Sequence, residues 1–321
     1  MTPAVEVPAR AELVRIEIER RKIGSILPPA DFGTEPVARV HDAGMVRFLG
    51  EASELWRKRY GDDAPPAIPS AWPARGLRDR FDGDVESRLG TYSFDTATPI
   101  VKGTWRAALA AVNTVLSAAQ AIKSGERSAF ALARPPGHHA SSDVFGGYCY
   151  LNNVAIAAQW LIDQGLKPAI LDVDYHHGNG TQSIFYRRAD VLFCSLHGDP
   201  SFAYPHFLGF ADENGEGNGE GTNLNLPMAM YTQWPTYSAA LARALDRIKA
   251  FGPDVLLVSL GLDTFENDPI SRFKLTKENY LRMGEAIGGA RLPTVFSFEG
   301  GYDLAALAEI TVNVLEGFES L

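Results

Sequence analysis

The chain has 321 residues, of which 45% are hydrophobic and 21% are charged, a composition typical of a globular protein. Its formal net charge is −9, whereas nucleic-acid-binding domains usually carry the opposite charge, so we expect no nucleic-acid partner. The negative charge favours a cationic partner or substrate, although taken alone it is better explained by solubility.

The length allows one large α/β domain or two smaller ones, and we expect a single domain over residues 1–321. No apolar run approaches the roughly 20 residues that a membrane-spanning helix needs, so no membrane partner is expected. The stretch "MTPAVEVPARAELVRIEIERRK" lacks the apolar segment of a signal peptide, which predicts a cytoplasmic protein. The two cysteines, Cys149 and Cys194, lie in apolar stretches and are predicted to be free buried thiols.

The first distinctive segment is the insert at about residues 60–100, which is rich in proline, glycine and charged residues and lacks clear periodicity. This pattern predicts a long irregular loop of the kind that forms a lid or a contact surface. A disordered surface insert is the alternative interpretation.

Beyond the insert, helical patterns alternate with apolar runs. Apolar residues with helical spacing predict helices, in chain order, at 102–125, 152–165, 236–252 and 276–288. Apolar, β-branched runs predict strands at 128–134, 168–174, 191–196, 254–261 and 293–301. Thr236 and Thr276 are candidate N-caps of the last two helices. The alternation predicts an α/β fold with a mostly parallel, twisted sheet and helices on both faces.

Every predicted strand is followed by polar residues that could do chemistry. The five endings are, in chain order, "PPGHHA", "DYHHGNG", "HGDP", "LDTFENDP" and "EGGYD". Because such folds bind ligands at the carboxyl ends of their strands, the endings predict one active site at that edge of the sheet. Residues 213–223 are also glycine-rich, but they lack the spacing of a phosphate-binding loop and are predicted to form turns.

The second ending has the pattern of a metal site. Asp172, Asp174 and His176 alternate along the chain, so on a strand they share one face, whereas His177 points away and is predicted to be structural. Asp263, after the fourth strand, is the best candidate for a third ligand. One imidazole and two carboxylates fit Zn²⁺, with Fe²⁺, Co²⁺ or Mn²⁺ as alternatives because this ligand set is hard.

Simpler interpretations exist for each fragment alone. Asp-x-His can be a hydrogen-bonded strand end, His138 a loop histidine, Tyr302 a surface tyrosine and Asp263 a helix cap. The presence of all the motifs in one order favours a catalytic site over these alternatives.

The motifs "RPPGHHA", "GGYCYLNN", "LDVDYHHGNG", "LHGD", "SLGLDTFENDP" and "EGGYD" together resemble the zinc-dependent histone deacetylase superfamily. Within it the chain is most similar to bacterial acetylpolyamine amidohydrolases, through "FGGYCYLNN", "SLHGDP" and "HFLGF". The resemblance runs from about residue 36 to the C-terminus. It implies an arginase/deacetylase fold with the active site at the carboxyl ends of the strands.

The resemblance also implies residue roles. It places zinc on Asp174, His176 and Asp263, makes His138 and His139 the paired catalytic histidines, and makes Tyr302 the hydrogen-bond donor to the transition state. Asp172 would hydrogen-bond His138, and a structural K⁺ or Na⁺ would lie near Asp172, Asp174, His176, Ser195 and Leu196, with Asn179 and Asp268 as further supporting residues. Tyr148 and Phe207 would line the substrate tunnel. Beyond what the resemblance implies, we expect Gly147, His206, Ile270 and Glu86 to be further substrate-binding positions.

One departure from the family pattern concerns the second histidine. Asn179 stands where many histone deacetylases have the aspartate that partners this histidine. Asn179 can orient His139 but cannot raise its pKa as a carboxylate would. We therefore expect His139 to be a neutral base beside a charged His138.

Two further departures from the family pattern concern the N-terminal segment and position 270, and both affect the rim of the pocket. The resemblance implies a strand and a loop ahead of the segment that matches "VPARAELV", and about a strand's worth of sequence is absent here. Either the start of the chain is truncated or one strand is missing. Some polyamine-selective relatives have a glutamate where this chain has Ile270. We expect the insert to supply the acid instead, with Glu86 favoured over Asp82, Asp84 and Asp95.

These observations predict a zinc-dependent deacetylase that removes acetate from acetylated polyamines or similar long-chain cationic amines. The substrate would be a small molecule, and the resemblance of the insert implies a homodimer with a narrowed pocket. The nearest alternative is a protein acetyl-lysine deacetylase, which needs an open rim. An arginase-like di-manganese ureohydrolase would need more ligands, and a non-catalytic acyl-amine binding protein would not need Tyr302.

Overall fold

Six parallel strands form one sheet in this computed structural model, which describes residues 5–321. The strands are β1 (Ser128–Ala131), β2 (Pro168–Asp172), β3 (Leu192–Gly198), β4 (Asn223–Met228), β5 (Val255–Leu260) and β6 (Thr294–Phe298). Their order across the sheet is β1-β6-β5-β2-β3-β4, and every neighbouring pair is parallel. All six carboxyl ends therefore lie at one edge of the sheet.

Ten helices pack around the strands in the described part of the chain. They are α1 (Ala9–Arg21), α2 (Glu35–Ala38), α3 (Ala43–Tyr60), α4 (Val85–Tyr92), α5 (Thr104–Lys123), α6 (Asn153–Asp163), α7 (Asn179–Phe185), α8 (Trp234–Phe251), α9 (Lys277–Gly288) and α10 (Leu307–Glu319). Among residues 5–321, no helix combines the length and the apolar character that crossing a membrane requires.

The sheet separates two apolar layers because successive strand residues point to opposite faces. On β2, Ile170 packs into the layer with α3, α5 and α6, whereas Ala169 and Leu171 pack into the layer with α1, α8, α9 and α10. Burying one such side chain contributes about 1.5–3 kcal/mol, so both faces stabilise the sheet. This arrangement confirms the predicted α/β fold with helices on both faces.

Of the two predicted N-caps, Thr276 is confirmed and Thr236 is wrong. Thr276 caps α9 in a capping box with Asn279. Helix α8 instead begins at Trp234, so Thr236 lies inside its first turn. Pro235 explains the earlier start, because its fixed φ and missing N–H suit the first turn of a helix.

The insert is more regular than predicted, because α4 lies within it. Asp84 caps this helix by accepting a hydrogen bond from the Ser87 amide (3.1 Å), and Val85 and Leu89 face the core. A helix of eight residues buries too few apolar side chains to show a clear period in the sequence. The prediction of an irregular loop was therefore wrong for this part of residues 60–100.

Strand β4 was not predicted. It lies at the edge of the sheet beside β3, and its sequence "NLNLPM" contains two asparagines and a proline, which strands disfavour. The side-chain nitrogens of Asn223 and Asn225 donate to Gln182 and Glu213, so tertiary contacts outweigh the weak strand preference.

Candidate active site

The predicted metal ligands meet at the carboxyl ends of β2 and β5. One ligand atom from each of Asp174, His176 and Asp263 lies within 4.8 Å of the others, and all three residues are buried. The Nδ1 atom of His176 is 2.8 Å from Asp263 Oδ2 and 3.3 Å from Asp174 Oδ1. The donor set of two carboxylates and one imidazole suits Zn²⁺, Fe²⁺ or Mn²⁺, and leaves room for an exchangeable ligand.

The charge of this cluster also fits a divalent cation. Asp172, Asp174 and Asp263 are fully buried close together. Burial and the neighbouring Asp174 raise the pKa of Asp263 to about 8. Burial opposes ionisation of Asp174 as well, but His138 and His176 hold its pKa well below its usual range. A bound cation would stabilise the ionised form of both carboxylates.

The paired histidines have different partners. Their ring centroids are 4.0 Å apart. His138 Nδ1 lies 3.0 Å from Asp172 Oδ2, whereas His139 Nδ1 lies 2.7 Å from Asn179 Oδ1. Burial disfavours charge on His138, but Asp172 and Asp174 outweigh it and raise its pKa to about 10. Burial and the neighbouring His138 lower the pKa of His139 well below its usual value, and Asn179 offsets little of this shift.

Tyr302 follows β6 on a glycine loop that packs against the metal cluster. A Cβ on Gly300 would lie 2.5 Å from Asp174 Oδ2 and 2.7 Å from Asp263 Oδ2, so a side chain there would displace these carboxylates. The Tyr302 amide donates to Asp268 Oδ2 (2.8 Å). Burial raises the pKa of the Tyr302 phenol well above its usual value, so the hydroxyl keeps its proton and can donate a hydrogen bond.

Arg10 supports the tyrosine loop and was missed in the sequence. It is fully buried and donates from Nε to the Gly301 carbonyl (2.6 Å) and from a terminal nitrogen to the Glu299 carbonyl (2.5 Å). Its guanidinium lies 4.7 Å from the ring centroid of Tyr302. The available signal was its spacing, because Arg10 lies four residues before Val14, on the buried face of α1.

Glu299 is a second residue that the sequence analysis missed, although "EGGYD" contains it. Its buried carboxylate accepts hydrogen bonds from the amides of Gly137 (2.7 Å) and His138 (3.3 Å). Burial raises its pKa to about 7. Glu299 therefore joins the loop that carries Tyr302 to the loop that carries the two histidines.

Two aromatic rings stand above these groups. The ring of Tyr148 lies 5.9 Å from that of Tyr302, and the ring of Tyr204 lies 5.1 Å from that of His139 and 6.1 Å from that of His176. Tyr148 therefore lies beside Tyr302, and Tyr204 lies beside two of the site histidines. We use the word tunnel below for the approach to the cluster that these two rings border. The motif "HFLGF" begins two residues after Tyr204, but the residue types give no signal that the Tyr204 ring would lie beside the histidines.

The structure does not place the Phe207 ring beside the catalytic side chains, where the Tyr148 and Tyr204 rings lie. The Phe207 side chain is 90% exposed. The chain turns at His206, whose φ is +71°, and the turn directs Phe207 outward after Tyr204 has reached the tunnel. His206 is itself exposed, with Nδ1 3.2 Å from the Pro200 carbonyl oxygen.

The other predicted substrate-binding residues lie at different distances from the catalytic side chains. Gly147 lies against the second histidine, since a Cβ there would be 2.3 Å from His139 Cδ2. Ile270 is 36% exposed, and its amide donates to Asp268 Oδ1 (3.0 Å). Glu86 is in a different groove, whose lining residues include none of the other predicted site residues: Trp56, Tyr60, Pro65, Ile68, Ser70 and Leu89. Within one chain, the structure therefore does not bring Glu86 to the tunnel, because the first turn of α4 faces this groove.

Residues predicted around a monovalent cation are buried on β2 and β3. Asp172 and Ser195 are register partners across the two strands, and Leu196 follows. The Ser195 hydroxyl lies 2.8 Å from His197 Nδ1. His177 is not part of the metal cluster, and its Nε2 lies 3.0 Å from Gln182 Oε1.

The chain belongs to the histone deacetylase family, because residues 4–318 match the sequence profile described as "Histone deacetylase domain". It is 51% identical to "Acetylpolyamine amidohydrolase 2" of Pseudomonas aeruginosa over all of this chain and 93% of that protein. It is 46% identical to "Acetylpolyamine amidohydrolase" of Mycoplana ramosa over 99% of this chain and 93% of that protein.

A solved structure supports the same assignment. The crystal structure of an acetylpolyamine aminohydrolase from Burkholderia pseudomallei matches with a TM-score of 0.95 and 39% identity, over 100% of this chain and 92% of that one. The architecture is thus the arginase/deacetylase α/β fold that the sequence predicted.

Proposed function

We propose that this protein is a metal-dependent deacetylase that hydrolyses the acetamide of acetylated polyamines or similar long-chain cationic amines and releases acetate. The observation that carries the proposal is the convergence of a buried Asp/His/Asp cluster, two histidines of opposite pKa shift and a protonated tyrosine. The names of the relatives support the same reaction class.

Asp174, His176 and Asp263 would hold the divalent ion, with Zn²⁺ as the proposed metal and Fe²⁺, Co²⁺ or Mn²⁺ as alternatives. When bound, the ion polarises the acetamide carbonyl and lowers the pKa of a bound water molecule. The other steps belong to side chains of the protein.

His139 serves as the base. Asn179 Oδ1 accepts a hydrogen bond from His139 Nδ1–H, so the other ring nitrogen, Nε2, keeps a free lone pair. The lowered pKa of His139 keeps the ring neutral near pH 7, which lets it remove a proton from the attacking water and return it to the leaving amine.

His138 and Tyr302 stabilise the charge that develops on the acetamide oxygen. His138 Nδ1–H donates a hydrogen bond to the Asp172 carboxylate, which favours the charged ring. The Tyr302 hydroxyl donates a hydrogen bond to the oxyanion, and its raised pKa prevents loss of that proton.

The tunnel favours a slender substrate. Tyr148 and Tyr204 flank the approach to the cluster with flat rings that suit a methylene chain. The formal net charge of −9 attracts a cationic chain. A protein acetyl-lysine deacetylase is the alternative, and it requires that folded protein can reach the same rim.

The proposal also covers domain organisation, a structural cation, oligomeric state and location in the cell. We propose one domain over residues 1–321, a structural K⁺ or Na⁺ near Asp172, Ser195 and Leu196, and a homodimer in the cytoplasm. The buried carboxylate of Asp172 supports the cation. The exposed apolar side chains of the insert support the dimer, and include Ile68, Trp72, Leu77 and Phe81.

The test is a substrate comparison. The purified protein is incubated with acetylputrescine, acetylspermine and an acetyl-lysine peptide, and release of acetate is measured. We expect a higher kcat/KM for at least one acetylpolyamine than for the peptide. Faster turnover of the peptide than of every polyamine would overturn the proposed substrate class, and no turnover of any of the three would overturn the proposed reaction.

A further inference from the structure

The Tyr148 wall of the tunnel belongs to a well-anchored unit, which we call the frame and define as residues 92–98 and 145–148. Its two segments are joined by hydrogen bonds of 2.7–3.0 Å, two between main-chain groups and two to side chains. The side-chain bonds run from the Gly147 amide to Asp95 Oδ2 and from the Tyr148 amide to Thr98 Oγ1, each 2.8 Å. The frame therefore fixes the position of Tyr148.

The Tyr204 wall belongs to residues 199–208, which we call the tunnel loop and which have fewer hydrogen bonds to other segments than the frame has within itself. The Asp199 amide donates to the Met228 carbonyl (3.0 Å), and Ala203 packs into an apolar layer. Residues 200–208 hydrogen-bond among themselves and with Asp199, as in the bonds from the Ala203 amide to the Asp199 carbonyl (2.9 Å) and from the His206 amide to the Ala203 carbonyl (3.0 Å). Within residues 5–321, one hydrogen bond connects them to another segment: the Tyr204 hydroxyl donates to Asp95 Oδ2 (2.7 Å).

Asp95 is held firmly enough to anchor the opposite wall. Its Oδ2 accepts from both the Gly147 amide and the Tyr204 hydroxyl, and its Oδ1 accepts from the Ala97 amide (3.0 Å). A hydroxyl–carboxylate bond is charge-assisted and stronger than a neutral one. The Phe94 ring, 6.3 Å from that of Tyr204, adds a stacked apolar contact at the same junction.

We propose that the Tyr204–Asp95 hydrogen bond latches the tunnel loop to the frame and sets the width of the tunnel, so that these two residues determine substrate selectivity. The Tyr204 ring contacts His139 and His176. The buried catalytic and metal-ligand side chains at the strand ends, which we call the floor, are held by their own partners, as His139 is by Asn179 and His176 by Asp263. Release of the latch therefore widens the tunnel and leaves the chemistry in place. The claim about selectivity rests on the proposed deacetylase function, whereas the latch itself does not.

The test uses Tyr204→Phe, which keeps the ring and removes only the hydroxyl. We expect hydrogen exchange at the amides of residues 199–208 to rise about tenfold, because the one bond to the frame is lost. Exchange at β5 should not change. The ratio of kcat/KM for acetylputrescine to that for an acetyl-lysine peptide should fall about tenfold, mainly through a higher KM for the amine.

A matched control and a second variant separate the latch from a general loss of packing. Tyr150→Phe removes another phenol hydrogen bond of the same region, to the Pro99 carbonyl (2.5 Å), and should leave both readouts unchanged. Asp95→Asn combined with Tyr204→Phe should have no larger effect on the substrate ratio than the stronger single variant.

Unchanged exchange in Tyr204→Phe would overturn the latch whether or not acetylpolyamines are substrates. Raised exchange with equal losses of kcat for amine and peptide would overturn its role in selectivity. Failure of the wild-type protein to hydrolyse either substrate would overturn the proposed function, and exchange would still decide whether the latch exists.

Discussion

The floor and the rim of the tunnel are built in different ways. On the floor, Asp172, Asp174, Asp263 and Glu299 are fully buried at strand ends, and each carboxylate accepts at least one hydrogen bond. At the rim, Phe207 is 90% exposed and the tunnel loop depends on one bond to the frame. The comparison indicates that the reaction is fixed by rigid strands, whereas substrate choice is set by loops that a few contacts control.

The largest effect should come from removing a ligand on the floor. Asp263→Asn replaces a carboxylate by a neutral amide and weakens the hold on the divalent ion. Loss of several kcal/mol of transition-state stabilisation corresponds to a fall in kcat/KM of roughly 10³-fold. Metal content and kcat/KM are measured together. Asp212→Asn, at an exposed position, is the control and should change neither. Near-normal activity and metal content in Asp263→Asn would show that the floor is not organised as described.

A smaller loss of activity is expected from a change at Tyr302, whose loop packs against the metal ligands and whose ring lies beside that of Tyr148. Tyr302→Phe removes the hydroxyl that donates to the oxyanion, which should lower kcat by about 10²-fold or more while KM changes little. Steady-state kinetics with acetylputrescine measure this division. Tyr231→Phe, at a side chain that is 63% exposed, serves as the control. A change in KM alone would place Tyr302 among the binding residues of the rim.

The smallest effect on maximal rate, but a distinct pH dependence, is expected from Asn179→Asp. The native pKa of His139 is lowered, so the ring is the neutral base at pH 7. A carboxylate at position 179 would favour the charged ring and raise this pKa by about 1–3 units. Because only the neutral form accepts a proton, activity should then fall on the acid side, and the acid limb of kcat/KM should shift to higher pH. A pH–rate profile identical to that of the wild type would contradict the neutral-base assignment.

The sequence predicted the floor better than the rim for a physical reason. Strand β2 ends at Asp172, two residues earlier than predicted, but the period of two still separates Asp172 and Asp174 from Val173 and Tyr175, which pack into an apolar layer. Strand ends from distant parts of the chain then meet because a parallel sheet brings its carboxyl ends to one edge. The chemistry of the floor was therefore readable from residue types and spacing.

The rim could not be predicted in the same way. Whether Tyr204 or Phe207 faces the tunnel depends on a left-handed turn at His206, which the residue types do not specify. The role of Arg10 depends on the packing of α1 against the loop of Tyr302, a contact between residues nearly 300 positions apart. Helix α4 and strand β4 are likewise stabilised mainly by tertiary contacts, such as the Arg88–Glu51 ion pair (2.6 Å).

The most direct test of the account is to remove and restore the metal while activity is followed. The protein is treated with a chelator, the metal content is measured, and Zn²⁺ is then added back stepwise with acetylputrescine as the substrate. The account predicts that deacetylation is lost with the metal and returns in proportion to the ion bound, up to about one per chain, as a single three-ligand site requires. Full deacetylase activity in a preparation free of bound metal would contradict it.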